Sequence, residues 1–124
     1  MTMIALKAGV AVPELTAWGS PETMGGATLE GDVQISGRTL LGTGRSRQSA
    51  GWYAATKGRF RLVYPFQEYA TLIEGSLSLT DEATGETVWF EPGDSWIIPK
   101  GTPMIWEIHD ERAVKHFMVS FDDL

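Results

Sequence analysis

Gly93-Asp94-Ser95-Trp96-Ile97-Ile98-Pro99-Lys100-Gly101 decides how this chain folds. Glu91-Pro92-Gly93-Asp94 makes a turn before the short apolar run Ser95–Pro99, and Pro99-Lys100-Gly101-Thr102-Pro103 makes another after it. Proline fixes φ and glycine permits positive φ, so both ends of the run are sharply bounded. A strand this short, fenced by two turns, belongs to a sheet of short strands and leaves no length for a helix. A second stretch, Glu68-Tyr69-Ala70-Thr71-Leu72-Ile73-Glu74-Gly75, has the same character: a β-rich run that stops on glycine.

Working outward, the pattern repeats on both sides. Runs rich in β-branched and aromatic residues span 33–41, 50–56, 59–65, 69–74, 76–80, 87–91, 95–99, 104–109 and 113–121. Asp81-Glu82-Ala83-Thr84-Gly85 joins two of them as a hairpin loop. No helical period is sustained after residue 30, and only Pro13–Trp18 suits a short helix. Nine short strands with turn signals between them predict an all-β sandwich or barrel. Residues 1–30, rich in glycine, alanine, threonine and proline, read as an extended N-terminal arm laid over a barrel domain at 31–124.

With 124 residues the chain suits one domain that needs no metal or disulfide staple. It has no cysteine, which excludes disulfides, thiolate metal sites and a cysteine nucleophile. No apolar run reaches the roughly 18 residues of a bilayer span, and Met1–Val10 lacks the pattern of a signal peptide. No membrane role is expected, and a cytoplasmic location is the default. The net charge is −6, yet Arg38, Arg45, Arg47, Lys57, Arg59 and Arg61 hold six of the ten basic residues. That strip would suit an anionic partner or, more simply, two solvated strands whose arginines meet acidic neighbours across the sheet. Overall acidity disfavours nucleic acid. Gly42-Thr43-Gly44-Arg45-Ser46-Arg47 reads as a hairpin tip, since it lacks the lysine and the strand–loop–helix setting of a phosphate loop. Serine hydrolysis is unsupported, for want of a G-x-S-x-G motif and an inward histidine.

The two opening stretches resemble the signature of the cupin superfamily, small β-barrels of the jelly-roll (RmlC-like) class. Glu68 to Gly75 fits the E-x6-G half of the first cupin motif, and Gly93 to Gly101 fits the G-x5-P-x-G half of the second. The chain is further similar to small cupins related to the ureidoglycine aminohydrolase cupin domain. Ser49-Ala50-Gly51-Trp52, Ile73-Glu74-Gly75, Trp106 and Val114-Lys115-His116-Phe117 carry that likeness. Metal-binding cupins use three histidines and the first-motif glutamate. Here those positions fall on Leu62, Tyr64, Met104 and Glu68, so the usual metal site is expected to be lost and no cofactor is expected.

If Leu62, Tyr64 and Glu68 face inward as the resemblance implies, strand alternation carries Ala70, Leu72, Met104, Trp106 and Ile108 inward too. On the last strand the bulkier face is Lys115, Phe117, Val119 and Phe121, which places Lys115 in the same interior as Glu68. The candidate ligand-binding residues are therefore Tyr64, Leu62, Met104, Trp106 and Phe117, with Trp52 either at the mouth or packed under the N-terminal arm. Glu68 and Lys115 are the candidate catalytic pair. Three roles remain open: a metal-free pocket for a small polar or anionic metabolite, a lyase, isomerase or hydrolase using Glu68 and Lys115 as acid and base, or a barrel for association. Plain core filling competes for each aromatic. Family habit adds a homodimer.

Overall fold

The structure, a computed structural model, describes residues 2–43 and 45–123. It is an all-β, cupin-like jelly roll with one short 3-10 helix and no α-helix among the described residues. Nine strands form among the described residues, although not the nine drawn from the sequence. The runs at 50–56 and 59–65 are one strand, β4 (Gln48–Val63), and those at 104–109 and 113–121 are another, β9 (Pro103–Ser120). The breaks inferred at Lys57-Gly58 and near Asp110 fall where the β4–β9 register shifts between Thr56 and Gly58. A bulge bends a strand without ending it. Gly58 has φ +148°, and a Cβ there would lie 2.6 Å from the Glu30 carbonyl oxygen. Only glycine lets the strand bend so close to its neighbour.

The remaining count is made up in the N-terminal arm. β1 (Thr16–Gly19) pairs with β3 (Ile35–Leu41), and β2 (Ala27–Glu30) pairs with the second half of β4. Pro13–Trp18 is thus not the expected helix, because Thr16 and Ala17 take places opposite Gly37 and Ser36 in the sheet. The 3-10 helix lies just beyond, at Pro21–Met24, with proline at its first turn and Gly25 closing it in the left-handed conformation.

β4 and β9 run side by side for their whole length and divide the sheet into two layers. Their first and last halves, respectively, lie with β1, β3, β5 (Gln67–Glu74) and β8 (Ser95–Ile98). Their other halves lie with β2, β6 (Leu77–Asp81) and β7 (Glu86–Phe90). Every pairing is antiparallel. The main core brings Tyr53, Phe60, Leu72, Leu79, Trp96 and Trp106 together from both layers. A smaller cluster on the outer face, Trp52, Ala54 and Val114, is covered by Val12 and Leu15 from the arm. Three of the six strip cations pair with acids: Arg47 with Asp122, Arg59 with Glu30 at 2.8 Å, and Arg61 with Glu82 at 2.5 Å. These are exposed pairs of little individual energy. The hairpin tip at 42–47 closes with a hydrogen bond from the Ser46 amide to the Thr43 carbonyl, and its Gly44 lies outside the described residues.

Candidate functional site

A cavity of about 330 Å³ enters the barrel, and its walls are mainly aromatic and aliphatic. Tyr53, Phe60 and Leu62 come from β4, and Trp106 and Phe117 from β9. Trp18 and Met24 join the lining from the N-terminal segment, and Phe66, Val119 and Phe121 complete it. In these apolar surroundings stand two buried charged side chains, Glu68 on β5 and Lys115 on β9, only 3% and 5% exposed.

Glu68 is fully used. Its Oε2 accepts from Lys115 Nζ at 2.5 Å, and its Oε1 accepts from both the Tyr64 hydroxyl and Trp96 Nε1 at 2.9 Å. The Tyr64 oxygen in turn accepts from Trp106 Nε1 at 3.2 Å. Such a chain gives Glu68, Tyr64, Trp96 and Trp106 the partners that burial would otherwise penalise them for lacking. The Lys115 ammonium also lies 4.5 Å from the ring centroids of both Tyr53 and Trp106, close enough for cation–π attraction. Burial pushes the Lys115 amine below its ordinary range, and the Glu68 carboxylate only partly restores it. Burial, reinforced by the same carboxylate, raises the Tyr53 and Tyr64 phenols, so both stay protonated.

Of the residues singled out in the sequence, Glu68, Lys115, Tyr64, Leu62, Trp106 and Phe117 all line this cavity. Two others are placed elsewhere. Trp52 lies on the opposite face of β4, edge-on to His116 and packed with Ala54 and Val114, because alternation puts it on the face away from Lys115. Its neighbour Tyr53, directly across from Lys115, takes the position at the cavity. Met104 does point inward and is buried, but it faces a second recess beside Leu79, Phe90, Trp96 and Ile98. Sequence reading alone does not pick out Trp96 as a partner of Glu68, whereas Phe121, on the face of the last strand assigned inward, does line the cavity. The parity of Trp96 within Ser95–Ile98 was a usable signal; the approach of Trp18 and Met24 left none. His109 faces outward, where it stacks on Trp89 and shares a hydrogen bond with Ser78.

The four positions that hold metal in other cupins carry Leu62, Tyr64, Glu68 and Met104. Leucine has no donor atom, the Tyr64 hydroxyl stays protonated, and the Lys115 ammonium already sits against Glu68 as a cation would. Among the described residues no three His, Cys, Asp or Glu side chains gather elsewhere as a metal site. This donor set does not fit a divalent ion.

The description "EutQ-like cupin domain" matches residues 43–117, more than half of the chain. The chain belongs to this family. Solved structures agree on the fold. The EutQ protein of Clostridium difficile is 20% identical with a TM-score of 0.61, over 73% of this chain and 71% of that one. A Pseudomonas syringae protein of unknown function from the DUF861 family is 21% identical with a TM-score of 0.75, over 88% of this chain but 45% of its own. A putative ethanolamine utilization protein Q from Salmonella typhimurium is 23% identical with a TM-score of 0.55, over 73% and 69%. No curated protein matches the chain. As a EutQ-like cupin it shares a fold whose members have no single established role. No helix among the described residues is long and apolar enough to cross a membrane.

Proposed function

We propose that this EutQ-like cupin binds a small metabolite in its barrel cavity without a metal ion, the ligand having an apolar body and one polar or anionic head. The observation that carries this reading is the buried Glu68–Lys115 pair in an otherwise apolar cavity. A barrel that merely needed filling would use apolar side chains there, since a buried ion pair seldom stabilises more than a well-packed apolar substitute. Glu68 takes one of the three N–H donors of the Lys115 ammonium, which leaves donors for an incoming oxygen. The aromatic walls suit an apolar body, and the cavity volume suits a ligand of modest size. The likeness to ureidoglycine aminohydrolase rests on short sequence motifs and brings no activity with it.

The test is fluorescence titration, because Trp18 and Trp106 line the cavity. Cyclohexanecarboxylate and cyclohexylmethanol do not absorb where tryptophan does, and both should change the emission saturably. Acetate, which has the head without the body, should not. An unchanged emission with both cyclohexyl compounds would sink the proposal.

A further inference from the structure

We infer that Lys115 is a carbonyl-capturing amine, forming an imine with a small apolar aldehyde or ketone held in the barrel cavity. This rests on the cavity being a ligand site. Three features converge on Nζ. It lines an apolar space, where a lysine is more readily a free amine than in water. It touches Glu68 Oε2 at 2.5 Å, a carboxylate placed to take a proton and return it. It is flanked by the faces of Tyr53 and Trp106, which attract any cation formed on that nitrogen. Burial favours the free amine in the same direction.

The step closes in atoms and charge. The ammonium passes a proton to Glu68, and the nitrogen lone pair forms a C–N bond as the carbonyl π bond opens onto oxygen. That oxygen takes the excess proton from nitrogen, which gives a neutral carbinolamine. Glu68 then returns its proton to the hydroxyl, the C–O bond breaks, and water leaves. What remains is an iminium cation on Lys115 facing a Glu68 carboxylate, the same charge arrangement as before. A pair already stabilised in the barrel is thus preserved by the product, so capture leaves no buried charge without its partner. Tyr64, protonated and bonded to the other carboxylate oxygen, holds Glu68 in position throughout.

The experiment incubates the intact protein with cyclohexanecarbaldehyde at neutral pH, adds cyanoborohydride to reduce any imine, and maps the adducts by peptide mass spectrometry. Lys7, Lys57 and Lys100 are the internal standards. Lys115 should carry at least about tenfold more adduct than each of them, and this preference should vanish in denaturing urea. The carbonyl-free analogue cyclohexylmethanol, titrated by fluorescence, separates the two ideas. If it binds while adducts spread evenly or spare Lys115, the imine is overturned and the pocket stands. If neither it nor cyclohexanecarboxylate binds and Lys115 shows no preference, both readings fall.

Discussion

At the scale of single residues, Glu68 is the hub: lysine, tyrosine and tryptophan from separate segments all donate to one carboxylate. Removing either charge alone leaves the other buried without its partner. Glu68→Gln and Lys115→Met should therefore each lower stability by about 3–5 kcal/mol in urea unfolding, the usual cost of breaking a buried pair. The double variant should recover most of that loss, because the glutamine oxygen still accepts from Tyr64 and Trp96 while no charge remains. Additive losses in the double variant would show that the two side chains do not act as a pair. The cupin resemblance put Tyr64 and Glu68 inward, and alternation with the bulkier face of the last strand added Lys115 to the same side. For Trp52 the sequence left two places open, the mouth and the underside of the N-terminal arm. It takes the second, since choosing between Trp52 and Tyr53 requires knowing which sits opposite Lys115, and that register is fixed between strands far apart in sequence.

At the scale of elements, the N-terminal segment is less an arm than a part of the wall. Trp18 lies over Gly37, where a Cβ would come within 2.2 Å of its ring, so the absence of a side chain at 37 is what admits the indole to the cavity. The turn that follows is held by Glu22, whose carboxylate accepts from the Thr28 amide at 2.7 Å and the Thr28 hydroxyl at 3.0 Å. Those bonds, the amide first, lower its pKa to about 2 from 4.5. A carboxyl held lower in the folded state than in the unfolded one contributes stability above pH 4.5 and loses it as the pH falls toward 2. Wild type should be more stable than Glu22→Gln near pH 6, and the gap should close between pH 4.5 and 2 in acid-titrated thermal melts. A gap independent of pH would remove the carboxylate from that account. The strands from 33 onward were legible because β-branched runs and Gly-Pro turns are local signals. β1 and β2 were not, since their four-residue strands exist only by pairing with β3 and β4.

At the scale of the whole molecule, the outer face carries an uncovered row of neighbours, Met118 beside Tyr69 beside Ile97, at 53%, 54% and 74% exposure. The homodimer expected from the family would have its natural seat here, because contiguous apolar surface of this kind marks contact sites. Sedimentation equilibrium should show a dimer that Ile97→Lys with Met118→Lys converts to monomer; a wild type that is monomeric at every concentration would dismiss the pairing. The cavity has a different geography. Glu68, Lys115, Tyr64 and Trp106 fall within the stretch shared with the family, residues 43–117, whereas Trp18, Met24, Thr39, Val119 and Phe121 lie outside it. One vessel thus draws its walls from both the shared stretch and the segments on either side of it. Substitutions at Trp18, Met24 or Phe121 can therefore reshape what the cavity admits while leaving in place the charged pair that would greet whatever enters.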